Sequence, residues 1–285
     1  MTWFKRIFLF IASAVIAAGA YYKSKIDGWF LEQRTAVQIS QIVEPHLEVF
    51  RPEGDGPFKT ILMFHGCGGD QEQQRYWAEV FESWGYAAIY VNSYTGRNID
   101  QQRAKQKVCR GQELFGSERA ADVLAAINWS NQQTWIDQRN IVLAGWSHGA
   151  WSIMDAFALE AQGRQPLGLN GSFEVSVSQV DEVILFYPYC GIASMTGSEG
   201  WLAKPNVVVI DVAEDTVVGT RTCDKSLGLI RTSGSRVQHE IFNGVDHAFD
   251  AEAINSEIKQ AYRTPKEIGL QAIEKAKVVL REFLR

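Results

Sequence analysis

Short, mostly apolar runs recur along this chain and are separated by stretches with helically spaced apolar positions. Such runs are typical of strands covered on both faces, and they occur at residues 59–64, 86–91, 140–144, 183–187 and 207–210. An outer strand is predicted at 46–50 and a last strand at 237–242. Helices are predicted at 71–84, 117–131 (amphipathic), 148–161 and 254–283, the last broken near Pro265. The alternation indicates an α/β fold, with a mainly parallel sheet flanked by helices on both faces.

Two polar stretches interrupt this pattern and are predicted to be connections. Residues 93–112 form a long polar loop, and residues 163–178, rich in Gly, Asn and Ser, form a surface connection. A length of 285 residues fits one large domain or two small ones. The simplest organisation is one folded domain over 41–285, preceded by an apolar segment over 1–22 and a polar tether over 23–40.

The N-terminal segment differs in kind from the rest. Lys5 and Arg6 precede an uncharged run over residues 7–22, and Ala-Gly-Ala at 18–20 resembles a signal-peptide cleavage site. The run is slightly short for a membrane span of about 20 residues, but aromatic residues at both ends could extend it. We expect export, with an uncleaved anchor favoured over a cleaved signal. A buried helix is the alternative, although such a helix normally has a polar stripe.

Charge and cysteine content narrow the function classes. The net charge is −5, and no stripe of Lys and Arg residues stands out that could bind the phosphates of a nucleic acid, so no nucleic-acid partner is expected. Four cysteines, Cys67, Cys109, Cys190 and Cys223, suggest two disulfides in an exported chain, whereas in a cytosolic chain they would more often be free thiols. No Cys/His spacing is typical of a metal site, so neither a metal nor a cofactor is expected.

Residues 145–149, Gly-Trp-Ser-His-Gly, carry the strongest local indication of chemistry. They lie where an apolar strand is predicted to end and a helix to begin, which is the context of a nucleophile elbow. The glycines at the flanks would let strand and helix pass close to each other. The pattern therefore predicts Ser147 as a nucleophile, with a structural glycine turn as the alternative.

A serine hydroxyl needs a base within hydrogen-bond reach, and in this type of site the acid and then the histidine follow the serine in the chain. His247, in a loop after the last strand, is the candidate base, because His148 belongs to the elbow and His239 alternates within a strand. The acid should follow residues 207–210. Asp211 lies too close to the strand end, so Asp215 is chosen, with Glu214 left as an alternative.

An oxyanion hole needs two backbone N–H donors. His148, directly after the nucleophile, is one candidate. The other is Cys67, within the glycine-rich loop His-Gly-Cys-Gly-Gly at residues 65–69 after an early strand. Gly68 and Gly69 could equally form an ordinary turn, but the presence of both loops favours the hole.

Residues 65–69, 145–149 and 245–249 (Val-Asp-His-Ala-Phe) together resemble the dienelactone hydrolase family of α/β hydrolases, over roughly residues 55–285. That family has a cysteine nucleophile, so Ser147 makes this chain similar to serine-bearing relatives. Asp211 replaces a glycine of the family's acid motif: strict spacing indicates Glu214, whereas spacing back from Cys223 indicates Asp215. The resemblance also implies disulfides Cys67–Cys109 and Cys190–Cys223.

These features together predict a serine hydrolase that cleaves a small-molecule carboxylic ester or lactone through an acyl-enzyme intermediate. Four aromatic residues that follow strands or flank the elbow are candidate pocket walls, each equally consistent with a core position: Tyr94, Trp146, Trp151 and Tyr187. Two rival hypotheses stay open. One is a serine peptidase of the same fold, and the other is a membrane-tethered binding protein without turnover.

Overall fold

A seven-stranded sheet runs through the centre of the computed structural model, which describes residues 2–69, 71–197, 200–255 and 264–285. The strands lie in the order β1-β3-β2-β4-β5-β6-β7, and every neighbouring pair is parallel except β1 with β3. Their bounds are β1 Leu47–Phe50, β2 Phe58–Phe64, β3 Ala87–Val91, β4 Ile136–Trp146, β5 Glu182–Phe186, β6 Asn206–Val212 and β7 Val237–Phe242. The prediction of a mainly parallel sheet is confirmed.

Helices cover both faces of the sheet, also as predicted. Their bounds are α1 Thr2–Ile26, α2 Ala36–Val43, α3 Gln71–Ser83, α4 Gln101–Arg103, α5 Gly116–Ser130, α6 His148–Ala161, α7 Asp224–Thr232, α8 Phe249–Ile254 and α9 Lys266–Phe283. Side chains alternate along β2 between two separate cores. Leu62 and Phe64 join the core under α5 and α6, whereas Ile61 and Met63 join the core under α3 and α9. Burial on both faces explains the unbroken apolar runs.

Helix α5 is buried on nearly all sides, so the prediction of an amphipathic helix there was wrong. Its residues 119–127 are all buried. The reason is a second layer outside it: Ile39 and Val43 of α2 belong to the same core, and the Leu167 N–H donates to the Ser117 carbonyl. Because α5 has no solvent-exposed face, its Arg119 is buried; the hydrogen bonds of this side chain are described below.

The polar loop predicted at 93–112 is more ordered than its composition indicated. It contains the single turn Thr95–Arg97, the short helix α4, whose N-cap is Asp100, and a π-helical turn at Ala104–Val108. A small separate core including Val108 packs against Cys67. The disulfide between Cys67 and Cys109 fixes the loop at this point.

The C-terminal helix predicted over 254–283 is observed only as α9, and Pro265 stands at its N-cap, where the break was expected. Ile254 instead ends the separate helix α8. The middle of the predicted helix, residues 256–263, lies outside the described residues.

The N-terminal region is helical further than expected. Helix α1 runs to Ile26, and its segment Trp3–Ile26 is long and apolar enough to cross a membrane by length and composition. The most apolar stretch of this helix is not buried against the rest of the protein.

Residues 23–40 do not form one continuous tether. A capping box between Thr35 and Gln38 starts α2, whose Ile39 is buried. The domain therefore begins a few residues before the expected boundary at 41.

Candidate active site

Ser147 lies at a sharp turn between β4 and α6, with φ 50° and ψ −108°, a conformation that an ordinary residue adopts only under strain. Its two flanking glycines are required by contact. A Cβ on Gly145 would lie 2.5 Å from the Ala150 nitrogen, and one on Gly149 would lie 2.0 Å from the Phe64 carbonyl oxygen. The turn therefore holds the serine side chain at the carboxyl end of the sheet.

A chain of two hydrogen bonds joins three residues from distant parts of the sequence. His247 Nε2 lies 2.9 Å from Ser147 Oγ, and His247 Nδ1 lies 2.7 Å from Asp215 Oδ2. All three side chains are buried. A carboxylate can only accept, so Nδ1 carries the proton and Nε2 is the acceptor for the serine hydroxyl. An imidazole in this tautomer can take the serine proton.

Of the competing carboxylates, only Asp215 reaches His247. Its other oxygen, Oδ1, accepts hydrogen bonds from the backbone N–H groups of Val217, at 2.9 Å, and Val218, at 2.8 Å. Glu214 is exposed, and Asp211 lies 3.3 Å from His239 Nε2. The structure thus brings the first choice from the sequence to the histidine and leaves the alternative on the surface.

Asp246 connects the loops that hold the acid and the base. It accepts hydrogen bonds from the Thr216 backbone N–H at 2.9 Å, from the Thr216 hydroxyl at 2.5 Å, and from the His247 backbone N–H at 2.7 Å. Partial burial raises the pKa of Asp246, but these hydrogen bonds outweigh it and lower the pKa overall. The carboxylate therefore stays charged and ties residue 216 to residue 247.

The two oxyanion candidates lie beside the serine. Both Cys67 and His148 line a cavity with Ser147, and a Cβ on Gly66 would lie 3.6 Å from Ser147 Cβ. Within the described part of the chain, neither backbone N–H of residues 67 and 148 donates a hydrogen bond to another group. His148 is the first residue of α6, whose N-terminus favours negative charge.

A buried arginine contacts both segments that carry these two candidate donors. Arg119 Nη1 lies 2.8 Å from the His65 carbonyl oxygen and 3.1 Å from His148 Nδ1, while its Nε donates to Ser93 Oγ at 2.8 Å. His148 Nε2–H in turn donates to the Leu114 carbonyl oxygen at 2.8 Å. Burial and the Arg119 charge lower the pKa of His148 to about 3, so its imidazole is neutral and accepts from the guanidinium.

The loop at 65–69 is fixed on its other side by Tyr94 and by the first disulfide. The Tyr94 hydroxyl donates to the Cys67 carbonyl oxygen at 2.8 Å, and its ring lies edge-on to His65 at 4.4 Å between centroids. Cys67 is bonded to Cys109, and Cys190 to Cys223, the pairing that the resemblance implied. Of the two positions left open for Tyr94, the structure shows the buried one, where the side chain supports the loop.

A second buried carboxylate, Asp250, lies behind the histidine. It accepts from Trp77 Nε1 at 2.8 Å, Trp146 Nε1 at 3.0 Å and the Tyr187 hydroxyl at 2.6 Å. The Tyr187 ring packs against His247 at 4.7 Å between centroids. Asp250 therefore connects Trp146, the last residue of β4 before Ser147, with Tyr187, whose ring packs against His247.

Two cavities meet at Ser147 and share Cys67 and Val217 in their linings. The larger, about 250 Å³, is bounded by aromatic side chains including Trp151 and Tyr189 and by Tyr22 of α1. The smaller, about 120 Å³, is bounded by Trp146, Tyr187 and His247. A reacting carbonyl at Ser147 could therefore direct one substituent into each cavity.

Sequence reasoning missed Arg119, Asp246 and Asp250. Asp246 is adjacent to His247, and this adjacency was a usable signal. Arg119 and Asp250 belong to no recognisable sequence motif. Their roles depend on contacts with residues up to 173 positions away, which the sequence does not reveal.

Among residues 2–69, 71–197, 200–255 and 264–285, no group of three His, Cys, Asp or Glu side chains is placed to hold a metal ion.

Comparisons with known proteins agree with this architecture. The prolyl oligopeptidase family matches residues 72–164, a segment that includes the elbow. The chain is similar to esterase 2 of Thermogutta terrifontis, with 18% identity and a TM-score of 0.60 over 84% of this chain and 88% of that one. A Klebsiella pneumoniae protein provisionally named as a dienelactone hydrolase has 15% identity and a TM-score of 0.57, over 81% and 90%.

The comparison with curated proteins gives no match. Identities below one fifth carry information on the fold alone, and the partial family match does not extend to the segments of Asp215 and His247. The sequence-based prediction of the fold is confirmed: this chain has the α/β-hydrolase fold.

Proposed function

We propose that this protein is a serine hydrolase that cleaves carboxylic esters or lactones through an acyl-enzyme intermediate. The single observation that carries the proposal is the hydrogen-bond chain from Asp215 through His247 to Ser147 at a strained strand-to-helix turn. A structural glycine turn would not need an imidazole aimed at the serine oxygen and a buried carboxylate behind that imidazole.

In the first half-reaction, Ser147 Oγ attacks the substrate carbonyl carbon while its proton moves to His247 Nε2. Asp215 accepts the Nδ1–H bond and stabilises the imidazolium that forms. The backbone N–H groups of Cys67 and His148 hold the oxyanion, and loss of one such donor typically costs about 3 kcal/mol in the barrier. The tetrahedral intermediate collapses with cleavage of the ester C–O bond, and the alkoxide leaves with the proton from His247.

In the second half-reaction, water enters the space left by the alcohol. His247 takes one proton from the water, the hydroxide adds to the acyl carbon, and collapse releases the carboxylic acid with the return of the proton to Ser147. All proton transfers run through one imidazole. No step requires a cofactor or a metal ion.

The cavities favour small groups at the reacting centre. Volumes of about 250 Å³ and 120 Å³ lie below the usual range for pockets that enclose a drug-sized ligand. Thermogutta terrifontis esterase 2, which shares the fold, is described with propionate or butyrate bound and as phosphonylated by sarin. Short acyl groups and organophosphorus reagents are therefore the first compounds to test on this chain.

A fluorophosphonate reagent with a fluorescent tag tests the proposal directly. The native protein should be labelled, and the Ser147→Ala variant should not, whereas Ser194→Ala is a control that removes a hydroxyl outside the triad. Hydrolysis of 4-nitrophenyl acetate should be lost together with labelling. Folded protein that reacts with neither compound would refute the enzyme hypothesis and favour a membrane-tethered binding protein.

A peptidase is the second candidate, because the matching family is that of prolyl oligopeptidase. The match covers the elbow, which esterases and peptidases share, so it does not favour an amide over an ester. Hydrolysis of a dipeptide 4-nitroanilide at a rate comparable with that of 4-nitrophenyl acetate would support the peptidase. A preference of several orders of magnitude for the ester would exclude it.

We also propose that the protein is exported and stays attached to the membrane through α1. The apolar helix and the two disulfides, which persist in oxidising compartments, support this localisation. Cleavage after Ala20 would release a soluble domain. The mass of the mature protein and its distribution between membrane and soluble fractions distinguish the two outcomes.

A further inference from the structure

The larger cavity at Ser147 opens beside the end of the apolar helix. Tyr22, four residues before the last residue of α1, lines this cavity together with Ser147. The uncharged part of α1 ends at Tyr22, and Lys23 and Lys25 follow. If α1 crosses a membrane as proposed, the mouth of the site lies at the level of the lipid headgroups, because a span places its first flanking charges there.

Exposed apolar side chains line this mouth and continue along the chain at the end of α1. Tyr21 in the last turns of α1 is exposed, as are Trp29 and Phe30 just after the helix, with Trp29 78% exposed. Ile192, 72% exposed, and Val217, 50% exposed, line the larger cavity itself. Aromatic residues are enriched at membrane interfaces, where their rings sit among the headgroups. Side chains of this kind around an opening are consistent with contact to lipid.

The same face is basic in a chain that is acidic overall. Residues 101–112 contain four Lys or Arg and no acidic residue, whereas the chain carries a net charge of −5. Lys105, Lys107 and Arg110 are exposed, and Lys25 of α1 joins them through its hydrogen bond to the Gln112 carbonyl. Within the described residues, none of these four cations pairs with a carboxylate. Such a cluster is complementary to anionic lipid.

We propose that this mouth face, formed by Tyr22, Lys25, Lys107, Arg110 and Ile192, rests on an anionic bilayer surface and that the substrate is an amphiphilic ester taken from that bilayer. The inference rests on the proposed anchor and esterase activity. A cavity of about 250 Å³ accommodates the reacting carbonyl and its nearest carbons. The remaining chain of the amphiphile would stay in the membrane, beside α1.

The orientation can be tested without any activity. All four cysteines are in disulfides, so Ile192→Cys introduces a single free thiol for a fluorophore. Arg139→Cys, exposed near the start of β4 at the opposite end of the sheet, is the matched control. In full-length protein reconstituted into vesicles of phosphatidylcholine and phosphatidylglycerol, a headgroup spin-labelled lipid should quench the label at 192 and not at 139. Equal quenching at both positions would overturn the proposal.

Charge dependence gives a second test of the same orientation. The double variant Lys25→Glu and Lys107→Glu should reduce quenching at 192 by roughly half or more, since each cation at an anionic surface contributes a factor of about five in binding. The control Lys59→Glu and Arg139→Glu carries the same charge change at the other end of the sheet and should leave quenching unchanged. An equal effect of both pairs would contradict a role for this face.

Activity then separates the two proposals. A long-chain ester embedded in the vesicles is compared with 4-nitrophenyl acetate in solution, for the full-length protein and for both double variants. Selective loss of the bilayer reaction in the Lys25 and Lys107 variant supports the lipid substrate. Hydrolysis of the soluble ester alone by native protein would overturn the substrate assignment. Quenching at 192 without hydrolysis of either ester would refute the esterase proposal and leave the lipid-bound orientation intact.

Discussion

Replacement of Asp215 by asparagine changes one atom of the carboxylate and should remove most of the activity. Oδ1 accepts two backbone N–H groups, from Val217 and Val218. In Asp215→Asn the amide oxygen must take that position, because an NH₂ group there would face two donors. The amide NH₂ then points at His247 Nδ1 and forces it to accept. Nε2 carries the proton in that tautomer and cannot take one from Ser147.

The same exchange in a serine protease with a Ser-His-Asp triad lowers kcat by about 10⁴, equivalent to roughly 5.5 kcal/mol in the barrier. We expect a loss of that order here with little change in KM, since Asp215 lies behind the histidine and touches no substrate. Steady-state hydrolysis of 4-nitrophenyl acetate and the rate of fluorophosphonate labelling measure it. The free energy of unfolding should change little, because both backbone N–H groups keep an acceptor.

Glu214→Gln is the matched control, since it makes the same chemical change one residue earlier on an exposed side chain. It should leave kcat within about twofold of the native value, as surface substitutions usually do. An Asp215→Asn variant that keeps a tenth or more of the native kcat would refute the tautomer argument. Loss of activity in Glu214→Gln alone would transfer the role of the acid to Glu214.

Three other perturbations follow from the structure. Asp250→Asn should lower the free energy of unfolding by about 2–4 kcal/mol, because its NH₂ would face one of three buried donors. Replacement of both Cys67 and Cys109 by alanine should lower it by about 4 kcal/mol and slow fluorophosphonate labelling, since the bridge fixes the oxyanion loop. Burial raises the pKa of Asp155 to about 8 from 3.8 in the unfolded chain, so its contribution to stability is present below pH 3.8 and lost as the pH rises towards 8.

Denaturant titrations measure the free energy of unfolding for all three changes, each against a control variant, and the labelling rate is measured separately for the disulfide variants. Asp224→Asn, on a partly exposed ion pair, should change stability by less than about 1 kcal/mol; an equal loss at both aspartates would contradict the Asp250 argument. Removal of the Cys190–Cys223 bridge should cost similar stability without slowing labelling, and equal slowing would show a global effect. Asp155→Asn should weaken the fall in stability between about pH 4 and 8, and an unchanged profile would place the titrating group elsewhere.

The sheet and the elbow could be predicted because both leave local patterns. Burial on two faces requires apolar side chains at successive positions, as at residues 207–210, and the crowding around Ser147 requires glycine two residues away on each side. The helix α2 also carried a local signal, the Thr35-x-x-Gln38 capping box. An assignment of residues 23–40 to a tether overlooked it.

The remaining features depend on contacts between distant segments. Three carboxylates stand within residues 211–215, at the end of β6 and directly after it, and only the folded loop, in which two backbone N–H groups orient Asp215, decides between them. Arg119 is indistinguishable by sequence from a solvated arginine on an amphipathic helix. Its partners His65 and His148 lie 54 and 29 residues away, and its burial arises from the second layer outside α5.

The position of the histidine at the far side of the sheet has a consequence for biosynthesis. Ser147 and His247 are 100 residues apart, and the loop of His247 follows β7, an edge strand that pairs with β6 alone. A nascent polypeptide can complete the turn at Ser147 long before His247, the proposed general base, has emerged and docked. On the proposed function, hydrolysis begins only when the loop of His247 has docked beside Ser147, and a chain that lacks this loop should leave esters untouched.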